Sequence, residues 1–179
     1  MILSLISVLC LVAILVYLAY FFITYKRIPA SISQTAEFPH CYYGFQFVIC
    51  FIFGFLQYYF PTIYSFADYG YISILLNGGC AGLALAGYFS YSPWEETERD
   101  MTIHKIGSLC GGILLITFYL LVLKWWLFIG IVLTICLILG YFIQGNGWNR
   151  KKDNSITFWV EIGLMIIVGR DLIKHFLAN

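Results

Sequence analysis

Residues 103–144 read IHKIGSLCGGILLITFYLLVLKWWLFIGIVLTICLILGYFIQ, and the way this stretch folds decides the architecture of the chain. It is apolar almost throughout, apart from a polar start and the Lys124-Trp125-Trp126 step at its middle. A helix crosses the hydrocarbon core with about 20 apolar residues, so the stretch holds two crossings. Lysine and tryptophan are residues that a headgroup boundary accepts. Their position predicts a tight hairpin between helices at 103–123 and 125–144. Read as one long helix, the same residues would change the tally of crossings from even to odd.

Four further apolar segments lie on either side, at about 2–24, 42–62, 70–91 and 156–177. The chain of 179 residues is 61% hydrophobic and 11% charged, with a mean hydropathy of +0.87. Soluble domains carry about 25% charged residues, so the expected fold class is all-α, a polytopic bundle of six transmembrane helices forming one membrane domain over 1–179. Lipid offers backbone groups no water, which makes helices the economical solution. Pro61 falls at a predicted helix end, and Pro29 and Pro93 follow soon after one. Trp94, Trp125, Trp126, Trp148 and Trp159, with Tyr42, Tyr43, Tyr69 and Tyr91, cluster at the ends of segments. The first segment lacks a basic leader and a small-x-small cleavage site, and is read as a retained helix.

Six crossings place both termini on one face and three connectors, 25–41, 92–102 and 145–155, on the other. That second face carries Lys26, Arg27, Arg99, Lys105, Arg150, Lys151 and Lys152, against Lys124, Arg170 and Lys174 on the first. The positive-inside rule then makes the three connectors cytoplasmic and the termini non-cytoplasmic. A net charge of +1 and the lack of a long basic arm leave no reason to expect a nucleic-acid partner. Arg170 and His175 fit the loose R-x4-H pattern of HEPN ribonucleases. Two residues at the end of an apolar helix are too short a motif to carry that reading, and Arg170, Asp171 and Lys174 read as a snorkelling helix end.

Small residues recur every four positions at Gly78, Gly82 and Ala86, and again at Gly107 and Gly111. This spacing lets helix backbones approach in lipid. It serves either packing within the chain or a homo-oligomer through Gly78, Gly82, Gly107 and Gly111. Asn77, next to Gly78, reads as an interhelical hydrogen-bonder. The six cysteines include no C-x-x-C pair and mostly sit in apolar runs, as small packing residues do.

Chemistry-bearing residues concentrate at the connector face. Asp100, His104 and Ser108 fall on one helix face at successive i, i+4 steps, and Ser31, Ser33 and His40 come from the first connector. His40, Asp100 and His104 supply two imidazoles and a carboxylate, a plausible first shell for zinc with a position left for water. Such an ion would activate that water and polarise a carbonyl or phosphoryl oxygen, with Ser33 orienting the water or substrate. The plainer reading is a hydrated helix start, with His104 paired to Asp100. Glu161, one to two turns inside the last segment, is either a structural polar lock or a wall of the same site. Asp171 and His175 repeat the Asp-x-x-x-His pattern, but about 30 Å away, one hydrocarbon thickness.

PASISQTAEFP (Pro29–Pro39), followed by an aromatic-rich helix, resembles the first loop of small six-helix proteins of the damage-regulated autophagy modulator (DRAM) type. DMTIHKIG (Asp100–Gly107) is similar to the entry to their fourth helix. That resemblance covers about a third of the chain and implies membrane trafficking or lipid remodelling, with the first loop on the non-cytoplasmic side. More distantly the chain resembles the CREST group of membrane hydrolases, which includes alkaline ceramidases. That likeness implies a Ser, an Asp and a His of a zinc site at Ser33, Asp100 and His104. The chain departs from it in its last helix, where Asp171 and His175 stand in place of a His-x-x-x-His pair, and in having one helix fewer.

The expected function is therefore binding or hydrolysis of lipid at one membrane face. If the chain is an enzyme, metal-assisted hydrolysis of an amide or ester would use His40, Asp100 and His104 as ligands, with Ser33 and Glu161 in the site. The alternative is a non-catalytic oligomeric scaffold or pore-forming subunit. A third possibility is an accessory protein whose soluble partner docks on the 92–102 and 145–155 connectors.

Overall fold

A computed structural model describes residues 2–26, 28–29, 31–64, 70–90, 98–145 and 156–177. The basic cluster at 150–152, Trp94, Trp148, Tyr69, Tyr91, and most of the 92–102 and 145–155 connectors lie outside the described residues. Six helices account for nearly all of what is described: α1 (Ile2–Tyr25), α2 (Pro39–Ile63), α3 (Gly70–Tyr88), α4 (Glu98–Leu121), α5 (Trp126–Gly145) and α6 (Ile156–Leu177). By length and hydropathy α1, α2, α3 and α4 are able to cross a membrane, and the apolar part of α5, Trp126–Phe142, is shorter. The chain is an integral multi-pass membrane protein on these grounds.

The stretch at 103–144 does break into two helices. Lys124 takes a left-handed backbone conformation (φ 55°), which α-helix geometry excludes, and the Trp125 N–H bonds back to the Tyr119 carbonyl at 3.1 Å. The hairpin is splayed. α5 packs along α6 and meets α4 only slightly, while α4 packs along α3. The neighbour order is α4, α3, α2, α1, α6, α5.

The glycines explain the closest of these contacts. A Cβ on Gly111 would stand 2.7 Å from the Leu83 backbone nitrogen, and one on Gly107 would stand 2.7 Å from the Gly82 carbonyl oxygen. A Cβ on Gly82 would meet the Gly111 Cα at 2.9 Å, and Gly78 abuts a Leu114 methyl at 3.3 Å. Gly78, Gly82, Gly107 and Gly111 therefore pack inside the chain, α3 against α4. The geometry carries the intramolecular reading of this spacing.

Within α3, Ile74–Gly78 is wound as a π-helix. Asn77 donates to the Ser73 hydroxyl one turn earlier at 2.9 Å, a bond within its own helix rather than between helices. Its side-chain oxygen is buried with no partner among the described residues.

The first connector folds inward. After α1 ends at Tyr25, with Lys26 left-handed just beyond it (φ 48°), Ser33–Glu37 forms a 3-10 turn, and Pro39 starts α2 at a position where a missing N–H costs nothing. Phe38 packs at a tilt against Tyr25 (4.3 Å between centroids) and edge-to-face on Phe21 (5.5 Å). The Tyr17 and Thr35 hydroxyls lie 2.5 Å apart, and the Thr35 hydroxyl donates to the Ile32 carbonyl at 2.5 Å. The connector is thus held against α1 as a plug at one end of the bundle.

Candidate functional site

The fold brings three separate pieces of sequence to that end: the plug, the second turn of α4 and the second turn of α6. Between them lies a cavity of about 620 Å³. Its polar lining comes from Ser31, Ser33, His104, Lys105, Ser108, Thr157 and Glu161. Deeper along α2, α3, α4 and α6 the wall turns apolar, with Phe45, Ile49, Phe53, Leu83, Ile113, Ile116 and Leu164. Helices rise about 1.5 Å per residue, so Phe53 lies roughly 20 Å beyond the start of α2. The cavity is polar at the connector end and apolar deeper in the bundle.

Hydrogen bonds fix the polar end. Glu161 accepts from the Ile32 backbone N–H, which ties the plug to α6. The Ser31 and Ser33 hydroxyls are 2.8 Å apart, and Ser31 also accepts from the Gln34 N–H at 3.0 Å. His104 is buried. Its Nδ1 meets the Ala86 carbonyl at 2.7 Å, and since a carbonyl only accepts, Nδ1 carries the proton. In the neutral ring the basic lone pair is then on Nε2.

Ser33, His104 and Glu161, singled out from the sequence, thus line one cavity. His40 and Asp100 do not line it. His40 is exposed on the first turn of α2, and Asp100 is half-buried one turn before His104. Among the described residues no group of three His, Cys, Asp or Glu is placed to hold a metal ion. His40, Asp100 and His104 are accordingly not gathered as the three protein ligands that a hydrolytic zinc takes.

No family model, curated protein or solved structure matches the chain. The reading of the site rests on its own geometry.

A second polar cluster marks the opposite end. Asp171 is 0% exposed and accepts from the Tyr64 hydroxyl at 2.6 Å and from the Tyr119 hydroxyl at 3.2 Å. It joins the ends of α2, α4 and α6. Beside it the Arg170 guanidinium lies over the rings of Trp125 (4.1 Å) and Phe128 (4.3 Å), a cation–π arrangement. Asp171 is therefore an internal lock rather than part of a snorkelling helix end.

Proposed function

We propose that the chain binds a single amphipathic lipid, with the headgroup among Ser31, Ser33, His104, Lys105 and Glu161 and one acyl chain along the apolar wall. The observation that carries this is the gradient of the cavity lining, polar at the membrane face and apolar toward the interior. Its volume falls in the range of about 300–1,000 Å³ typical of small-molecule sites. The Lys105 ammonium as a donor, with the Glu161 carboxyl and the Ser31 and Ser33 hydroxyls as acceptors, suits a headgroup that offers donors as well as acceptors. We further propose that all six helices cross the bilayer, which sets the polar end at the leaflet of the three connectors, the cytoplasmic one by charge count. The test is native mass spectrometry of protein extracted in mild detergent. Retention of one lipid per chain, lost on filling the cavity with Ile49→Trp, supports the reading; lipid-free wild-type protein contradicts it.

A hydrolytic reading is favoured by one observation, the imidazole of His104 in the same cavity as the Ser33 hydroxyl and the Glu161 carboxyl. With its proton on Nδ1, His104 is in the tautomer that a general base uses at Nε2. Release of fatty acid from lipids in mixed micelles, abolished in His104→Gln, would support hydrolysis. Stable binding without release would leave the protein a lipid carrier or sensor.

A further inference from the structure

The cavity has a side as well as an end. Leu109 and Ile113 line it on α4 and are nevertheless 65% and 56% exposed. A side chain that walls a cavity and also faces outward stands at an opening. Both residues belong to the candidate span Arg99–Leu121, so with α4 crossing the bilayer as proposed they face hydrocarbon, not water. Between them Gly112 lines the same wall, and a Cβ there would meet nothing within 4 Å.

The helices on either side explain the gap. α4 is held by α3, and α6 by α1 and α5, but α4 and α6 have no close packing on each other. They are joined at the far end, where Tyr119 on α4 donates to Asp171 on α6, and the cavity separates them at the connector end. Two helices tied at one end and parted at the other leave a cleft toward the bilayer.

We infer that the cavity is loaded sideways, by a phospholipid of the surrounding leaflet that slides one acyl chain between α4 and α6 past Leu109 and Ile113. This rests on the lipid-binding reading and adds the source and route of the ligand. A chain entering by this route stays in hydrocarbon, and only the headgroup moves, from the interface to the polar end of the cavity. Entry through the plug would instead drag an acyl chain past Ser31, Ser33 and Lys105, with loss of apolar burial at each step.

The experiment closes the cleft after folding. In a Cys110→Ser background, which removes an exposed thiol, Leu109→Cys on α4 and Met165→Cys on α6 are bridged with a cleavable bismaleimide in vesicles. Exchange of a fluorescent-chain phosphatidylcholine is then followed. The bridged protein is expected to exchange severalfold more slowly than the same protein blocked at each thiol separately, and cleavage of the bridge to restore the rate. Lipid bound but exchanged equally fast with and without the bridge overturns the lateral route while leaving binding intact. Absence of bound lipid in the unbridged protein overturns both.

Discussion

Glu161 on α6 accepts a hydrogen bond from the backbone N–H of Ile32, in the connector that leaves α1. This bond ties the first connector to α6, adding to the Tyr17–Thr35 and Phe38 contacts that hold it against α1, so that it walls the cavity. An ionisable residue at membrane depth faces a protein interior or a cavity, and Glu161 does both: it secures the plug and lines the site.

Glu161→Gln keeps an acceptor for Ile32, whereas Glu161→Leu leaves that N–H without one. Removing the partner of a buried donor costs about 1–3 kcal/mol. The leucine variant is expected to lower thermal stability in detergent and to expose the Ile32 amide to hydrogen exchange. The glutamine variant is expected to protect that amide as the wild type does. Equal exchange in both variants would remove the tether from the account.

The α3–α4 contact tolerates no added carbon at Gly111, where a Cβ would stand 2.7 Å from the Leu83 nitrogen and 2.8 Å from the Gly79 oxygen. Overpacking typically costs about 1–3 kcal/mol, so Gly111→Ala should reduce the melting temperature clearly. Gly130→Ala on α5, where a Cβ meets nothing within 4 Å, should leave it unchanged. A wild-type melting temperature in Gly111→Ala would contradict the close approach.

Asp171 ties three helix ends, and Asp171→Ala removes the acceptor of two tyrosine hydroxyls, at about 1–3 kcal/mol for each group left unsatisfied. Tyr64→Phe, which loses the 2.6 Å bond, should cost more than Tyr119→Phe, which loses the 3.2 Å one. Denaturant titration of the three variants gives the order. An Asp171→Ala protein as stable as wild type would show that the cluster does not lock the bundle.

Six crossings require both ends of the chain on one side. Epitope tags at the two termini, probed by protease in sealed vesicles, should be cleaved together or protected together. Tags on opposite sides would break the proposed topology.

Much of this was legible in the sequence because lipid imposes a simple rule: about 20 apolar residues per crossing, with aromatic and basic residues at the ends. The Lys124-Trp125-Trp126 break and the Gly107/Gly111 spacing could be read directly, since each rests on local residues. Asp171 could not. An acid between Arg170 and Lys174 looks the same in sequence whether it points outward or into the bundle, and its partners Tyr64 and Tyr119 lie far away along the chain. The cavity was half visible. Ser33, His104 and Glu161 could be grouped by face, but the exposure of His40 and the position of Asp100 outside the cavity depend on how α2 and α4 are rotated about their axes. A count of crossings does not set that rotation. The splay of α4 from α6 arises from α5 packing on α6 rather than on its hairpin partner, a choice between two apolar faces that hydropathy does not distinguish.

The central claim is that a lipid chain occupies the interior between α2, α4 and α6. It is tested most directly with a phospholipid carrying a diazirine on its acyl chain, photolysed in vesicles, with the adducts mapped by peptide mass spectrometry. The account predicts labelling of Phe53, only 1% exposed, and of its cavity neighbours Leu83 and Leu164. Adducts confined to outward residues such as Phe47 and Leu127 would contradict it.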